Sequence, residues 1–443
     1  VSDLPSGWVL TTLSDVANFN PKHDPSRIDE LVSFVPMPAV SAESGVIDAA
    51  TDRPLADVWK GFTHFAEHDV LFAKITPCME NGKIAVAKGL TNGLGCGSTE
   101  FHVLRSNGAI LPDYLWRFLR QSSFRKDAEG AMTGAVGQRR VPTDYLKSAE
   151  IPTPPLAEQR RIVEKLDALT ARTARARADL DRIPALAARY KQAVLAKAFS
   201  EALDVSTIET TLGEISEFRN GLSRRPEHSP PGLPILKISA IRPLAVRLEE
   251  IRYYQCEADE DVAKYRLHLG DLLFTRFNGN PSLVASCGLV RELPQEGLLY
   301  PDKLIRVRLD QDRILPEFSE IIVSSPQARR QLEKKIKSAA GQHGISGADL
   351  KLLHMPLPDL QTQELIAQRT HTALGNIDLM VTEAAAARRL LDRLDQSVLA
   401  KAFRGELLPQ NPSDEPASAL LDRIRAERAA APKAKRGRRK AAA

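Results

Sequence analysis

Cysteine is scarce in this chain. Cys78, Cys96, Cys256 and Cys287 are the only four in 443 residues, and no two stand in C-x-x-C spacing. Paired zinc ligands and a disulfide framework are thereby excluded as sequence motifs, and reduced thiols are predicted. Long apolar runs are also missing: none approaches the ~18 residues that cross a bilayer. The opening VSDLPSGW has neither the basic nor the apolar part of a signal peptide, which predicts a cytoplasmic protein. A dominant charge is missing too. The net charge is +5, but KAKRGRRKAAA at the C-terminus holds six basic residues and no acid, so the preceding chain carries −1. DNA affinity of that body must come from local basic clusters or partner subunits, because phosphate neutralisation supplies most non-specific affinity. The tail itself reads as a solvated basic extension.

What the chain does have is a repeat. VLAKAF occurs at Val194–Phe199 and again at Val398–Phe403, 204 positions later. Gly137, Gln138, Leu146, Lys147, Pro152, Pro154, Leu156 and Gln159 recur at the same offset, and ILPDYLWRFL from Ile110 pairs with ILPEFSEIIV from Ile314. DVLFAKI from Asp69 matches DLLFTRF from Asp271 at 202, and TTLSDVANF from Thr11 matches TTLGEISEF from Thr210 at 199. Collinear matches with a slipping offset mean tandem copies of a unit of roughly 200 residues, separated by small insertions.

Each copy divides in two. Short β-type runs (Val70–Ile75, Lys83–Ala87, Leu272–Phe277, Leu304–Leu309) alternate with turns and one short helix beginning at Pro112 or Pro316, which predicts an α+β globular domain. A helical stretch follows. Thr153 is its predicted cap in the first copy, with Pro154 as first residue, and Asp359 is the cap in the second. The boundaries fall at 1–152 and 204–357 for the globular domains, 153–203 and 358–408 for the helices, and 409–443 for a C-terminal extension.

The helices carry heptad spacing. Ile162, Leu166, Leu169, Thr173, Ala176, Leu180 and Ile183 form one stripe; Ile366, Thr370, Ala373, Ile377, Met380, Ala384, Ala387, Leu391, Leu394 and Val398 form the other. Two related stripes in one chain predict that the helices pair. Pro184 should end or kink the first near Ile183. A helix from Ile162 to Ile183 is about 33 Å long, close to the ~34–36 Å between successive major-groove faces of B-DNA. A chain carrying both copies is a pseudo-dimer whose domains are free to diverge. They do so in their middles, as FVPMPAVSAESGVIDAATDRPLADVWKGF against LPILKISAIRPLAVRLEEIRYY shows. A shared frame with different readers suits an asymmetric split DNA target.

These features resemble the specificity subunits of type I restriction-modification systems. The resemblance covers essentially the whole chain and rests on LPSGW, IPTPPLAEQRRIVEKLD with its weaker second copy, AVLAKAF, SVLAKAFRGEL and the repeat; RNGLS, GDLLFTRFNG, LLYPDKLIR and SALLDRIRAERAA look like the type IA subgroup. It implies a pseudo-two-fold α+β architecture of two tandem target recognition domains, each reading half of a bipartite site, separated by two long antiparallel coiled-coil helices that act as a ruler. It also implies double-stranded DNA as ligand, and as partners two modification subunits that use S-adenosylmethionine to methylate adenine and two restriction subunits that translocate DNA with ATP and magnesium. The chain itself would bind no cofactor.

The residues agree that the chain is not an enzyme. A base-flipping amino-methyltransferase needs a polar-Pro-Pro-aromatic grip, and Asn280-Pro281-Ser282-Leu283 lacks the second proline and the aromatic. Gly93-Leu94-Gly95-Cys96-Gly97 has no third glycine at nucleotide-loop spacing, and Gly82-Lys83 continues with Ile84 rather than Ser or Thr. Beside Tyr300-Pro301-Asp302-Lys303, no second acid and lysine are placed to hold magnesium. HFAEH matches H-x-x-E-H through His64, Glu67 and His68, but His68 aligns with Gly270, so the stretch reads as a turn beside a strand, not a zinc helix. A free-standing DNA-binding regulator or a coiled-coil scaffold is the competing reading.

Candidate DNA contacts begin with Lys74 and Arg276, which align at 202, each just before a turn-rich loop. The glycine-rich approaches TGAVGQRR and AAGQHG add Gln138, Arg139, Arg140, Gln342 and His343 as donors to phosphates or base edges. Thr76, Asn81 and Asn278 complete the set.

Overall fold

A computed structural model describes residues 4–430 except 136, 207, 224–230, 257–260, 295 and 340; the basic tail lies outside the described residues. The chain divides into two compact units, residues 1–178 with 387–443, and residues 179–386.

The first unit is built on a four-stranded antiparallel sheet in the order Ala17–Phe19, Phe101–Ser106, Val70–Ala73, Ile84–Val86. The second has the same order in Ser216–Asn220, Leu304–Leu309, Leu272–Thr275, Cys287–Leu289. In both, a short ladder brings the start of the domain against its end: Val9–Thr12 with Glu150–Thr153, and Glu209–Thr211 with His354–Pro356. The short helices begin at Pro112 and Pro316, where proline's missing N–H is harmless in the first turn. Buried charge repeats as well. Asp69 takes two bonds from Arg105 at 2.8 and 2.7 Å and one from the Ala66 N–H at 2.7 Å, while Asp271 takes the equivalent bonds from Arg308 and from the His268 N–H. A carboxylate this buried needs partners beyond its arginine, and in each unit a backbone N–H supplies one.

The units differ where the sequences do. In the first, Thr51–Pro54, Leu31–Val35, Leu94–Gly97 and Thr63–Ala66 make a second four-stranded sheet with a parallel central pair. In the second, the same order survives only in reduced form: Leu233–Leu236 pairs with Ile251–Tyr254, single bridges join Ile235 and Arg266 to Leu299, and Ile241–Arg242 pairs with Ala245–Val246.

Two helices dominate, Leu156–Val205 and Leu360–Phe403. At 1.5 Å per residue they are about 75 and 66 Å long. They run antiparallel within each unit, joined in the first by Arg177 to Asp392 at 3.0 Å and to Asp395 at 2.7 Å, and in the second by Lys191 to Asp378. Of the end or kink that the sequence predicts at Pro184, the end does not occur: the helix runs on to Val205. Pro184 lies on an exposed stretch, so water can satisfy the Leu180 carbonyl that loses its donor, and packing on both sides carries the helix through. Thr153 is not the first cap either: it ends a strand, and Pro154-Pro155 delays the helix to Leu156 because residues before proline avoid the α region. Asp359 does cap the second helix, accepting from the Thr362 N–H at 2.9 Å; that bond holds its carboxyl below the usual range.

The recurring hexapeptide gains a physical reason. Leu195, Ala198 and Phe199 belong to the core of the second unit with Phe318 and Ile322, whereas Ala402 and Phe403 belong to that of the first, Phe403 lying 4.8 Å from Tyr114 and 5.4 Å from Phe118. Each copy of VLAKAF thus completes the core of the unit that precedes or follows it, doing the same job twice. Helix Ala417–Ala430 adds Leu421 and Ile424 to the first core, and its Ala417 N–H donates to the Gly7 carbonyl at 3.0 Å.

Of the residues expected to pair the helices, Ile162, Leu166, Ile366 and Ile377 are buried. Leu169, Leu180, Ile183, Leu391 and Val398 are half-buried. Met380 and Leu394 are 64% and 49% exposed. In the second helix the buried stripe runs through Thr370, Leu374, Ile377 and Ala384. Thr370, Ile377 and Ala384 keep the expected seven-residue spacing, with Leu374 the buried residue between the first two, and Met380 faces out.

Candidate nucleic-acid interface

Two segments distant in sequence meet in each unit. Beyond strand Val70–Ala73 the chain continues extended: the Lys74 N–H donates to the Glu100 carbonyl at 2.9 Å, the Val141 N–H donates to the Lys74 carbonyl at 2.9 Å, and the Thr76 N–H donates to the Arg139 carbonyl at 3.0 Å. The second unit repeats the frame, with Arg276 N–H to the Lys303 carbonyl at 2.8 Å and Ile345 N–H to the Arg276 carbonyl at 3.0 Å. There Phe277–Asn278, Gln342–Gly344 and Lys337–Ala339 form a three-stranded sheet. The strand-end cation and the glycine-rich approach are therefore one locus in each unit.

Their side chains are not equally available. Arg140 donates to both Glu100 oxygens at 2.9 Å, and its Nη1 donates to the Gln138 carbonyl at 2.9 Å. The Arg140 bond in turn holds the Glu100 carboxyl below the usual range. Arg139 lies 3.6 Å from Glu129, and the Thr76 hydroxyl donates to Glu80 at 2.8 Å. Gln138 and Asn81 are exposed, and Lys74 is half-buried. In the second unit Arg276 lies over the Phe277 ring at 4.7 Å. His343 Nδ1 pairs with the Ser338 hydroxyl at 2.7 Å, Asn278 Oδ1 accepts from the Asn280 N–H at 2.9 Å, and Gln342 is exposed.

The register shows what sequence reasoning missed. Lys303 occupies the place of Glu100, since each supplies its carbonyl to the strand-end cation. Lys334, Lys335 and Lys337 lead into the same sheet and are exposed. The run EKKIKS before AAGQHG was the available signal. One locus is thus basic, with Lys303 and Lys337 exposed and no acidic side chain bonded to Arg276 or Lys303 among the described contacts, and the other balances its arginines with acids. Behind each, an arginine at matching positions anchors the loop: Arg125 donates to the Glu80 carbonyl, and Arg329 to the Val284 carbonyl and, at 2.9 Å, to the Pro281 carbonyl.

His64 sits on strand Thr63–Ala66 and His68 in a turn with φ +68°, matched by Gly270 at φ +86°. Glu67 accepts from the Gly89 and Leu90 N–H groups at 2.7 and 2.9 Å. The H-x-x-E-H residues share no helical face. Among the described residues no helix is long and apolar enough to cross a membrane.

A two-fold repeated α+β domain with paired antiparallel helices and a polar locus at equivalent places in each copy fits a DNA-recognition subunit, the class that comparison with known proteins gives. The family model described as type I restriction modification DNA specificity domain matches residues 5–184. The chain is 38% identical over 357 residues to the type I restriction enzyme EcoKI specificity subunit of Escherichia coli (strain K12), covering 76% of each. It is 32% identical over 369 residues to the StySPI specificity subunit of Salmonella potsdam, covering 79% of this chain and 78% of that one. The chain belongs to the type I restriction enzyme specificity subunits, which recognise DNA and do not themselves catalyse. Its fold is similar to that of the HsdS subunit from Thermoanaerobacter tengcongensis, with TM-score 0.64 and 23% identity over 91% of this chain and 98% of that one. A chain from a structural study of type I R-M complex assembly gives TM-score 0.68 and 21% identity, over 91% and 100%.

Proposed function

We propose that residues 1–152 and 204–357 are two target recognition domains, each reading one half of an asymmetric bipartite DNA site, and that the helices of 153–203 and 358–408 fix the spacer between the halves. The supporting observation is the pair of equivalent loci on one shared frame, backed by second sheets that share an order but differ in sequence and extent. Lys74, Thr76, Asn81, Gln138, Arg139 and Arg140 serve one half-site; Arg276, Asn278, Gln342 and His343, with Lys303 and Lys337, serve the other. Phosphate contacts set register while base-edge contacts specify. The subunit works in the cytoplasm with two modification subunits, which carry S-adenosylmethionine, and two restriction subunits, which use ATP and magnesium.

Long-read mapping of methylated adenine in the source genome, with this gene intact and deleted, tests the reading. A split asymmetric motif that loses methylation on both strands upon deletion gives both half-sites and the spacer directly. Unchanged methylation while the system is expressed refutes it.

A further inference from the structure

The first recognition domain encloses a cluster that DNA reading does not use. His23, His64 and Cys96 are all buried, and one ligand atom from each lies within 4.8 Å of the others. His64 and Cys96 are direct partners across antiparallel strands, so both side chains leave the same face of the sheet. His23 enters from the loop after strand Ala17–Phe19, its ring 4.8 Å from that of His64. Its Nε2 lies 2.8 Å from the Gly95 carbonyl, and His64 Nε2 lies 2.9 Å from the Trp59 carbonyl. A carbonyl only accepts, so each Nε2 carries the proton and each Nδ1 keeps a lone pair. Histidine metal ligands are commonly oriented in this way, with the far nitrogen donating to a backbone carbonyl. At present His64 Nδ1 accepts only a long 3.3 Å bond from the His23 N–H.

We propose that His23, His64 and Cys96 form a binding site for a thiophilic d10 cation, zinc(II) or copper(I). Tetrahedral bonds of ~2.0–2.3 Å place such ligands about 3.3–3.7 Å apart, so the cluster closes by roughly an ångström on binding. Zinc completes its shell with a fourth ligand, whereas copper(I) accepts the three present. Burial holds both imidazoles neutral, with pKa values below the ordinary one, and pushes the Cys96 thiol up to about 11. The cation binds the thiolate, and the thiol proton is released to solvent. Cys96 belongs to an apolar cluster with Val32, Leu55, Val58 and Leu94, against which Trp59 and Phe62 pack.

The second domain supplies an internal control. The parallel bridge Ile235 to Leu299 and the antiparallel bridge Arg266 to Leu299 occupy the places of Phe34 to Cys96 and His64 to Cys96. Leu299 therefore replaces Cys96, Arg266 replaces His64, and Leu222 falls at the position of His23. Leu222 and Leu299 are buried in an apolar cluster with Ile235 and Tyr254. Among the described residues the site belongs to the first domain alone, where it ties the loop at His23 to strands Leu94–Gly97 and Thr63–Ala66.

The test uses the full chain, reduced and dialysed against chelator, and titrates zinc(II) and copper(I) against competing chelators, with cobalt(II) as a spectroscopic probe. One ion per chain is expected, together with a thiolate-to-cobalt charge-transfer absorption. Cys96→Ser should abolish that band and weaken binding at least about 100-fold, since even an outer-shell loss costs 10–100-fold. His23→Gln should weaken binding comparably and decides the matter if Cys96→Ser fails to fold, while Cys287→Ser, altering the buried thiol of the second domain, should change nothing. Tighter zinc or tighter copper identifies the ion. Absence of stoichiometric binding, or a cobalt band that survives Cys96→Ser in folded protein, overturns the proposal.

Discussion

At the scale of residues, the equivalent loci differ in charge, and the difference is measurable. Arg276 and Lys303 have no acidic side chain bonded to them among the described contacts, whereas Arg140 is already neutralised by Glu100. Each phosphate contact contributes close to one unit to the dependence of log affinity on log salt. In the assembled complex, Arg276→Ala with Lys303→Ala should weaken DNA binding across sequences and flatten that dependence by about two. Arg139→Ala with Arg140→Ala should weaken recognition of the other half-site with a smaller change in slope. Anisotropy titrations from low to high salt read both; equal slopes for the two pairs would refute the charge assignment. A second residue-scale expectation concerns Gln159 and Gln363, both fully buried. Gln363 accepts from the Leu315 N–H at 2.8 Å and donates to the Arg313 and Pro358 carbonyls at 3.0 and 2.8 Å, and Gln159 makes the matching bonds to Leu111, Ala109 and Pro154. Gln363→Leu should cost about 1–3 kcal/mol by orphaning three backbone groups, one buried and two part-buried, seen as lost amide protection in residues 179–386. Recurrence of Gln159 in the repeat was legible; its purpose was not, because the bonds close over some 50 positions.

Among elements, the long helices were legible as a heptad pattern, and their ends were not. Pro184 read as an end or a kink because propensity is a local quantity, while continuation depends on packing to either side. The helix carries the cost of that residue, so Pro184→Ala should stabilise it by about 1–3 kcal/mol with no loss of DNA recognition. Chemical denaturation monitored at 222 nm checks this; a destabilised variant would show that the proline sets a needed bend. Strands such as Leu304–Leu309 were readable from β-branched and apolar runs. The second sheet of the first domain was not, since strand Thr51–Pro54 is exposed throughout and has no alternation to read.

At the scale of the whole molecule, the buried imidazoles among the described residues are unevenly divided. Burial lowers the pKa of His23, His64 and His102 in the first unit, and of His371 in the second. Such bases take up protons in the unfolded chain before the folded one, so stability is complete above the ordinary value near 6.5 and falls as pH drops from there toward the folded values. Acidification from pH 7 toward 5, with chelator present, should therefore loosen residues 1–178 more than 179–386. Hydrogen exchange resolved by segment reads the difference, and uniform loosening would contradict it.

The sequence by itself determined the repeat, the helical frame, the family and the absence of catalytic motifs, because these are written in spacing along the chain. Tertiary structure decided which cations stand open, why VLAKAF recurs, and that His23, His64 and Cys96 come together. Those outcomes depend on strand register and core closure between residues tens to hundreds of positions apart, and neighbouring residues carry no record of such distances.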